Sequence, residues 1–174
     1  SVGGTVEWAH AWGDDGSDQA FDVAVDRDNH HVYVGGFASS LSGGRDWDPD
    51  PDDEVLIMTE SGLGHQSVIA RYDSTGDLVW VKSFGSNVHD RINALAAKGG
   101  FVYATGWENG STGDWDPSAG TIQLPGDTVD IFTLKMNSLA ETQWAVSWGG
   151  TGTTNPAGEA IALDSSGNVY TAGH

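Results

Sequence analysis

Short runs of alternating apolar and polar residues recur along the chain, cut by clusters of Gly, Asn, Asp and Ser. "SVIARYD" (67–73) places Val68, Ala70 and Tyr72 on one face, and "IFTLKMN" (131–137) does the same with Phe132, Leu134 and Met136. A period of two is the signature of a strand with distinct faces. A second kind of run carries large aromatics on one face and small residues on the other. In "WVKSFG" (80–85) Trp80 and Phe84 oppose Ser83, and in "WAVSWG" (144–149) Trp144 and Trp148 oppose Ala145 and Ser147. Large against small is what closely stacked sheets need to interdigitate. No stretch holds an apolar 3.6-residue period for ten residues, so a helical solenoid is excluded.

The runs repeat. "WAHAWG", "WVKSFG" and "WAVSWG" start at Trp8, Trp80 and Trp144, spaced by 72 and 64 residues. "VYVGGF", "VYATGW" and "VYTAGH" start at Val32, Val102 and Val169, spaced by 70 and 67. The tetrapeptide "DWDP" occurs at 46–49 and 114–117, 68 apart. Three independent markers agree on one repeating unit. Each unit reads as four strands. The first is "AFDVAVD" (20–26), "INALAAK" (92–98) or "EAIALD" (159–164), followed by the Val-Tyr strand, the alternating strand and the Trp strand. "DRDNHH", "AKGG" and "DSSGN" join strands one and two, while "DSTGD" and "NSLAE" join three and four. All have hairpin-loop chemistry. Strands two and three are separated by long inserts, 37–66 and 107–130, which hold the DWDP elements.

A recurring four-stranded antiparallel meander with aromatic markers predicts an all-β chain built as a β-propeller-like array of blades. "DSSGNVYTAG" (164–173), "DIFTLKMN" (130–137) and "SVIARYDSTGDLVWVKSFG" (67–85) carry a further resemblance. They are similar to the bacterial β-propeller repeat of the seven-bladed type, some members of which carry an insert like DWDP. The resemblance covers nearly the whole chain. It implies a propeller fold and a setting in large secreted or surface proteins, and it brings no catalytic residues. The expected division is a fourth strand of a preceding blade over 1–13, blade one over 18–85, blade two over 90–149 and half of blade three over 158–174. That makes eleven strands and about two and a half blades, too few to close a ring alone. The expectation is therefore a fragment of a longer chain, or a subunit that joins copies of itself into a ring or filament by strand addition.

Composition narrows the partners. The chain has 174 residues, 25 acids against 7 bases, and a formal charge of −18. Nucleic acid and anionic membrane surfaces require the opposite sign. No 18-residue apolar run exists to span a bilayer, and residues 1–13 lack a secretory leader pattern. Cysteine is absent, which removes disulfides and thiolate metal sites.

The acids suggest one site. Asp46, Asp48, Asp50 and Asp52 alternate within "DWDPDPDDE" and could turn toward one Ca²⁺, a hard cation that takes six to eight oxygen ligands. The other reading is a solvated acidic loop packed over Trp47. The second copy keeps Asp114 and Asp116 alone of this set, so its shared "WDP" reads first as an aromatic anchor that pins a long loop. Trp107 and Trp115, in the second insert region, are candidates for stacking on sugars, against packing within a blade. In a meander the inserts and the links between blades gather at one end, which is the candidate functional face. The six His show no metal-binding spacing, and no nucleophile elbow or phosphate loop is present. The expected function is a non-enzymatic extracellular or cell-surface scaffold or adhesion module. The alternatives are a Ca²⁺-assisted carbohydrate-binding module, with glycans as partners, and part of a glycosidase-like enzyme.

Overall fold

The computed structural model describes residues 4–11, 17–39, 45–46, 48, 56–57, 64–86, 88–110, 113–125, 129–149 and 155–174, with 45–46 and 56–57 described as backbone. The described residues contain no helix and thirteen strands, all paired antiparallel. The first sheet orders β1 (Asp18–Asp26), β2 (His31–Ser39), β5 (His65–Tyr72) and β6 (Leu78–Ser86) side by side. The second orders β7 (His89–Lys98), β8 (Phe101–Asn109), β10 (Val129–Asn137) and β11 (Thr142–Trp148) in the same way. A third is a two-stranded pair, β12 (Gly158–Leu163) with β13 (Val169–Gly173). These are the strands the sequence pattern predicts, with those of the first two sheets longer by one to three residues.

Three short strands were not expected. β3 (Arg45–Asp46) and β4 (Leu56–Ile57) form a small hairpin inside the first insert, so the acidic run begins at its mouth. β9 (Gly113–Asp114) leaves the second insert and pairs with the edge of β6 in the sheet before it. One expected strand is missing. Residues 4–11 hold no strand, because they meet the first sheet through side chains and not through a backbone ladder. Trp8 and His10 stack on each other at 5.1 Å and lie 6.2 and 5.9 Å from the Tyr72 ring, and His10 Nε2 donates to Gly76 O at 2.8 Å.

The main core lies where the first sheet packs on the second. Ala24, Tyr33, Ile69 and Phe84 from one meet Ile92, Leu95, Phe132 and Leu134 from the other. On its opposite face the first sheet buries Val68, Ala70, Tyr72 and Val81, so β5 is apolar on both sides. This explains the unbroken apolar character of "SVIA", since a strand covered on both faces loses its polar alternation.

A repeated glycine marks a repeated irregularity. Strand one of each sheet breaks register at matching points, between Ala20 and Asp22, Ile92 and Ala94, and Gly158 and Ala160. The bulge turns a backbone carbonyl toward strand two. A Cβ on Gly36 would sit 1.8 Å from Gln19 O, on Gly106 1.8 Å from Arg91 O, and on Gly173 2.0 Å from Ala157 O. The glycine shared by "VYVGGF", "VYATGW" and "VYTAGH" is there because nothing larger fits beside the bulge.

Candidate functional site: the loop-rich end

The strand ends that flank both inserts and the links between sheets lie together, where strands one and three begin and strands two and four finish. Cross-strand register brings three acids side by side there. Asp90 of β7 faces Glu108 of β8, which faces Asp130 of β10. Directly opposed residues project to the same face of a sheet. At the equivalent positions the first sheet has Asp18, Ala38 and Gln66, a row with a single carboxylate.

The three acids are held differently. Asp90 accepts from Ser86 N, Ser86 Oγ and Asn109 N, and so ties the end of β6 to the end of β8. Its pKa is pushed up to about 7 because burial outweighs those bonds. Glu108 is fully buried, and neither of its carboxylate oxygens has a hydrogen-bond partner. Burial first, and then the charges of Asp90 and Asp130, push its pKa up to about 8. Burial also raises Asp130. The arrangement stores protons near neutral pH: ionising Glu108 places a bare charge between two like neighbours.

Two histidines begin strands at the same end, His65 in β5 and His89 in β7. His65 stacks on Phe37 at 4.3 Å, and His89 Nδ1 accepts the His65 backbone N–H at 3.2 Å, which puts the His89 proton on Nε2. Burial and then the neighbouring His89 lower the pKa of His65.

The second DWDP element is a wedge. Trp115 has 1% of its surface exposed and packs between Phe84 of the first sheet, at 5.9 Å, and Phe132 of the second, at 4.4 Å. Its backbone N–H donates to Ile122 O, and its carbonyl accepts from Thr142 Oγ1. Asp114 Oδ1 accepts from Asp116 N and Ile122 N, while Asp116 Oδ1 accepts from Ser118 N and Thr142 N. These bonds hold the Asp116 carboxyl below its ordinary range despite burial. Both carboxylates shape the loop, and a ring buried like that of Trp115 has no face to offer a sugar.

Trp107 is placed otherwise. It is half-buried and lines a cleft of about 460 Å³ between the second sheet and β12–β13, with Arg91, Asn109, Glu159 and His174. The Arg91 guanidinium lies 5.7 Å from the Trp107 ring and 4.6 Å over Phe21.

Of the first acidic run, Asp50 and Asp52 lie outside the described residues, and Asp46 is described as backbone, paired with Leu56. Asp48 is half-buried, and its charge adds to burial in pushing the Tyr72 phenol up to about 12. The described residues contain no group of three or more His, Asp or Glu arranged to hold a metal. Sequence reading missed the Asp90–Glu108–Asp130 row. Its signal was available: Asp90 sits two positions, and Glu108 and Asp130 one position, outside an aligned strand motif, at the same end. No family model matches the chain, and no curated protein matches it.

Proposed function

We propose that the chain is a non-enzymatic scaffold module, an open array of β-propeller-type blades that works outside the cell or at its surface. The observation that carries this reading is a contact between sheets that recurs. Asp26, at the end of strand one of the first sheet, accepts from Gly99 N and Gly100 N in the next hairpin turn. Lys98, at the same place in the second sheet, donates to Asp164 O and Ser165 O in the following turn. On the outer side, Trp80 Nε1 donates to Ser138 O in the turn between β10 and β11, and Trp8 lies over Gly76 in the matching turn of the first sheet. A stacking rule applied again and again builds arrays whose stability comes from nearest-neighbour interfaces. The resemblance to bacterial β-propeller repeats supports the same reading. Light scattering and electron micrographs of the purified chain test it, with rings or filaments expected. A monodisperse monomer at every concentration overturns the assembling form.

The Trp107 cleft favours a second reading, a carbohydrate-binding module. An aromatic face flanked by Arg, Asn and Glu suits a sugar ring and its hydroxyls, and the volume is that of a small-molecule site. Trp fluorescence titrated with neutral oligosaccharides should saturate, and Trp107→Ala should remove the response. No saturable change with any glycan removes this reading. For Ca²⁺ at the acidic run, a melting temperature unmoved by millimolar Ca²⁺ removes the ion.

A further inference from the structure

We propose that the two outer faces of this array are complementary and bind each other head to tail in a second copy of the chain. The proposal rests on the scaffold reading and names the surfaces that reading would use.

The argument starts from positions that repeat in sequence and differ in burial. Tyr33, Tyr103 and Tyr170 occupy one place in the three sheets and are 0%, 6% and 59% exposed. Leu95 in β7 is 6% exposed because the first sheet covers it, and Asp22 Oδ2 accepts its backbone N–H at 2.7 Å. Val23 holds the same place in β1 and is 59% exposed, with Val25 at 51% beside it. One outer face is therefore the surface that β7 presents to the first sheet. The other is the surface the first and second sheets present to their successors.

The polar contacts at the junctions follow a matching rule. The last residue of strand one reaches the hairpin turn of the next sheet, as Asp26 and Lys98 do. Asp164 follows β12 and closes its own turn by accepting from Ser166 N and Asn168 N, as Asp26 does for Asp28 N. Asp26 has a further partner in the next turn. Asp164 is half-buried, and the turn it would meet in a second copy begins with the exposed cation Arg27. The charges are opposite in a chain that otherwise repels itself at −18.

The N-terminal segment completes the match. Trp8 docks on the turn of the first sheet at the place where Trp80 docks on the second. Residues 4–11 thus lie where the fourth strand of a preceding sheet would lie, beside a groove of about 430 Å³ lined by Trp8, His10, Ala20, Val34 and Tyr72. A preceding sheet needs strands one and two, and β12–β13 of another copy supplies them. The two faces differ, so the contact is heterologous and propagates into a ring or a filament.

The test uses blocking variants at exposed positions, in about 0.15 M salt so that like charges are screened. Val23→Glu blocks one face and Tyr170→Glu the other, and circular dichroism checks that each variant keeps its sheet signal. The wild-type chain should give masses that are multiples of 18.3 kDa, and each variant alone should fall to the monomer mass. Mixing the two should give one-to-one dimers and nothing larger, because each keeps one competent face. Asp164→Asn, which keeps the turn and removes the charge, should weaken assembly of the wild-type form. If the wild type assembles and the variants still do, these faces are wrong while the scaffold reading stands. If the variants are monomeric and their mixture stays monomeric, the head-to-tail pairing is overturned. A wild type monomeric at every concentration overturns both.

Discussion

Replacing Glu108 by Gln should make the protein more stable at neutral and alkaline pH, and leave it nearly unchanged in acid. The wild-type carboxyl sits fully buried between Asp90 and Asp130, with no donor for either oxygen. Its pKa rises from an ordinary 4.5 to about 8, so the folded state holds a proton that the unfolded chain releases. A folded-state pKa above the unfolded one gives stability that is complete below about pH 4 and is lost as pH climbs toward about 8. Each pH unit is worth ~1.4 kcal/mol, so at pH 7 the penalty is on the order of 3 kcal/mol. Gln keeps the shape, carries no charge, and can donate from its amide to a flanking carboxylate. Urea unfolding followed by Trp fluorescence from about pH 4 to pH 9 measures both proteins. Their difference cancels the opposing contributions of His31 and His65, whose pKa values are lowered by burial. The gap should open through this range and level off above about pH 8. A gap independent of pH, or a Gln variant less stable at pH 8, refutes the reasoning and means that the carboxylate is neutralised by something other than a proton.

That acid row shows what a single sequence conceals. The strands were legible because their signals are local: alternation in 131–137, the Trp spacing and the Asx-Gly turns each lie within a few residues. Asp90, Glu108 and Asp130 are separated by 18 and 22 positions, and they meet only once the registers of β7, β8 and β10 are fixed. The repeated glycine was legible as a marker, but its cause was not. The carbonyls of Gln19, Arg91 and Ala157 that crowd it belong to bulges, and nothing in "AFDVAVD" announces a bulge. The "WDP" of the second insert was read correctly as an anchor for a loop. Its reach was not legible, because the ring passes from its own sheet to Phe84 of the one before. The Trp8 segment has the alternation of a strand, yet pairing is a property of neighbours, and its described residues, 4–11, hold no strand and meet Tyr72 and Gly76 through the Trp8 and His10 rings.

Three further outcomes follow from the same contacts. Gly106→Ala places a methyl 1.8 Å from Arg91 O and should cost about 1–3 kcal/mol or more in urea unfolding; an unchanged midpoint means the bulge relaxes freely. Trp115→Ala empties the space between Phe84 and Phe132 and should cost about 3–5 kcal/mol, and a smaller loss means the two sheets close over the cavity. Asp26→Ala removes the acceptor of Gly99 N and Gly100 N, and should destabilise the contact between the first and second sheets by about 1–3 kcal/mol at neutral pH. Its carboxyl is held below the ordinary value because those bonds, with Asn29 and Asp28, outweigh burial. A lowered folded pKa gives stability that is present above the unfolded value and lost as pH falls through the folded one. The cost of Asp26→Ala should therefore shrink below about pH 4; like the gain from Glu108→Gln it grows with pH, but it is of opposite sign. Hydrogen exchange at Gly99 and Gly100 reports the site directly. Protection that survives the substitution means the two turns are held together by packing, and that Asp26 does not clamp them.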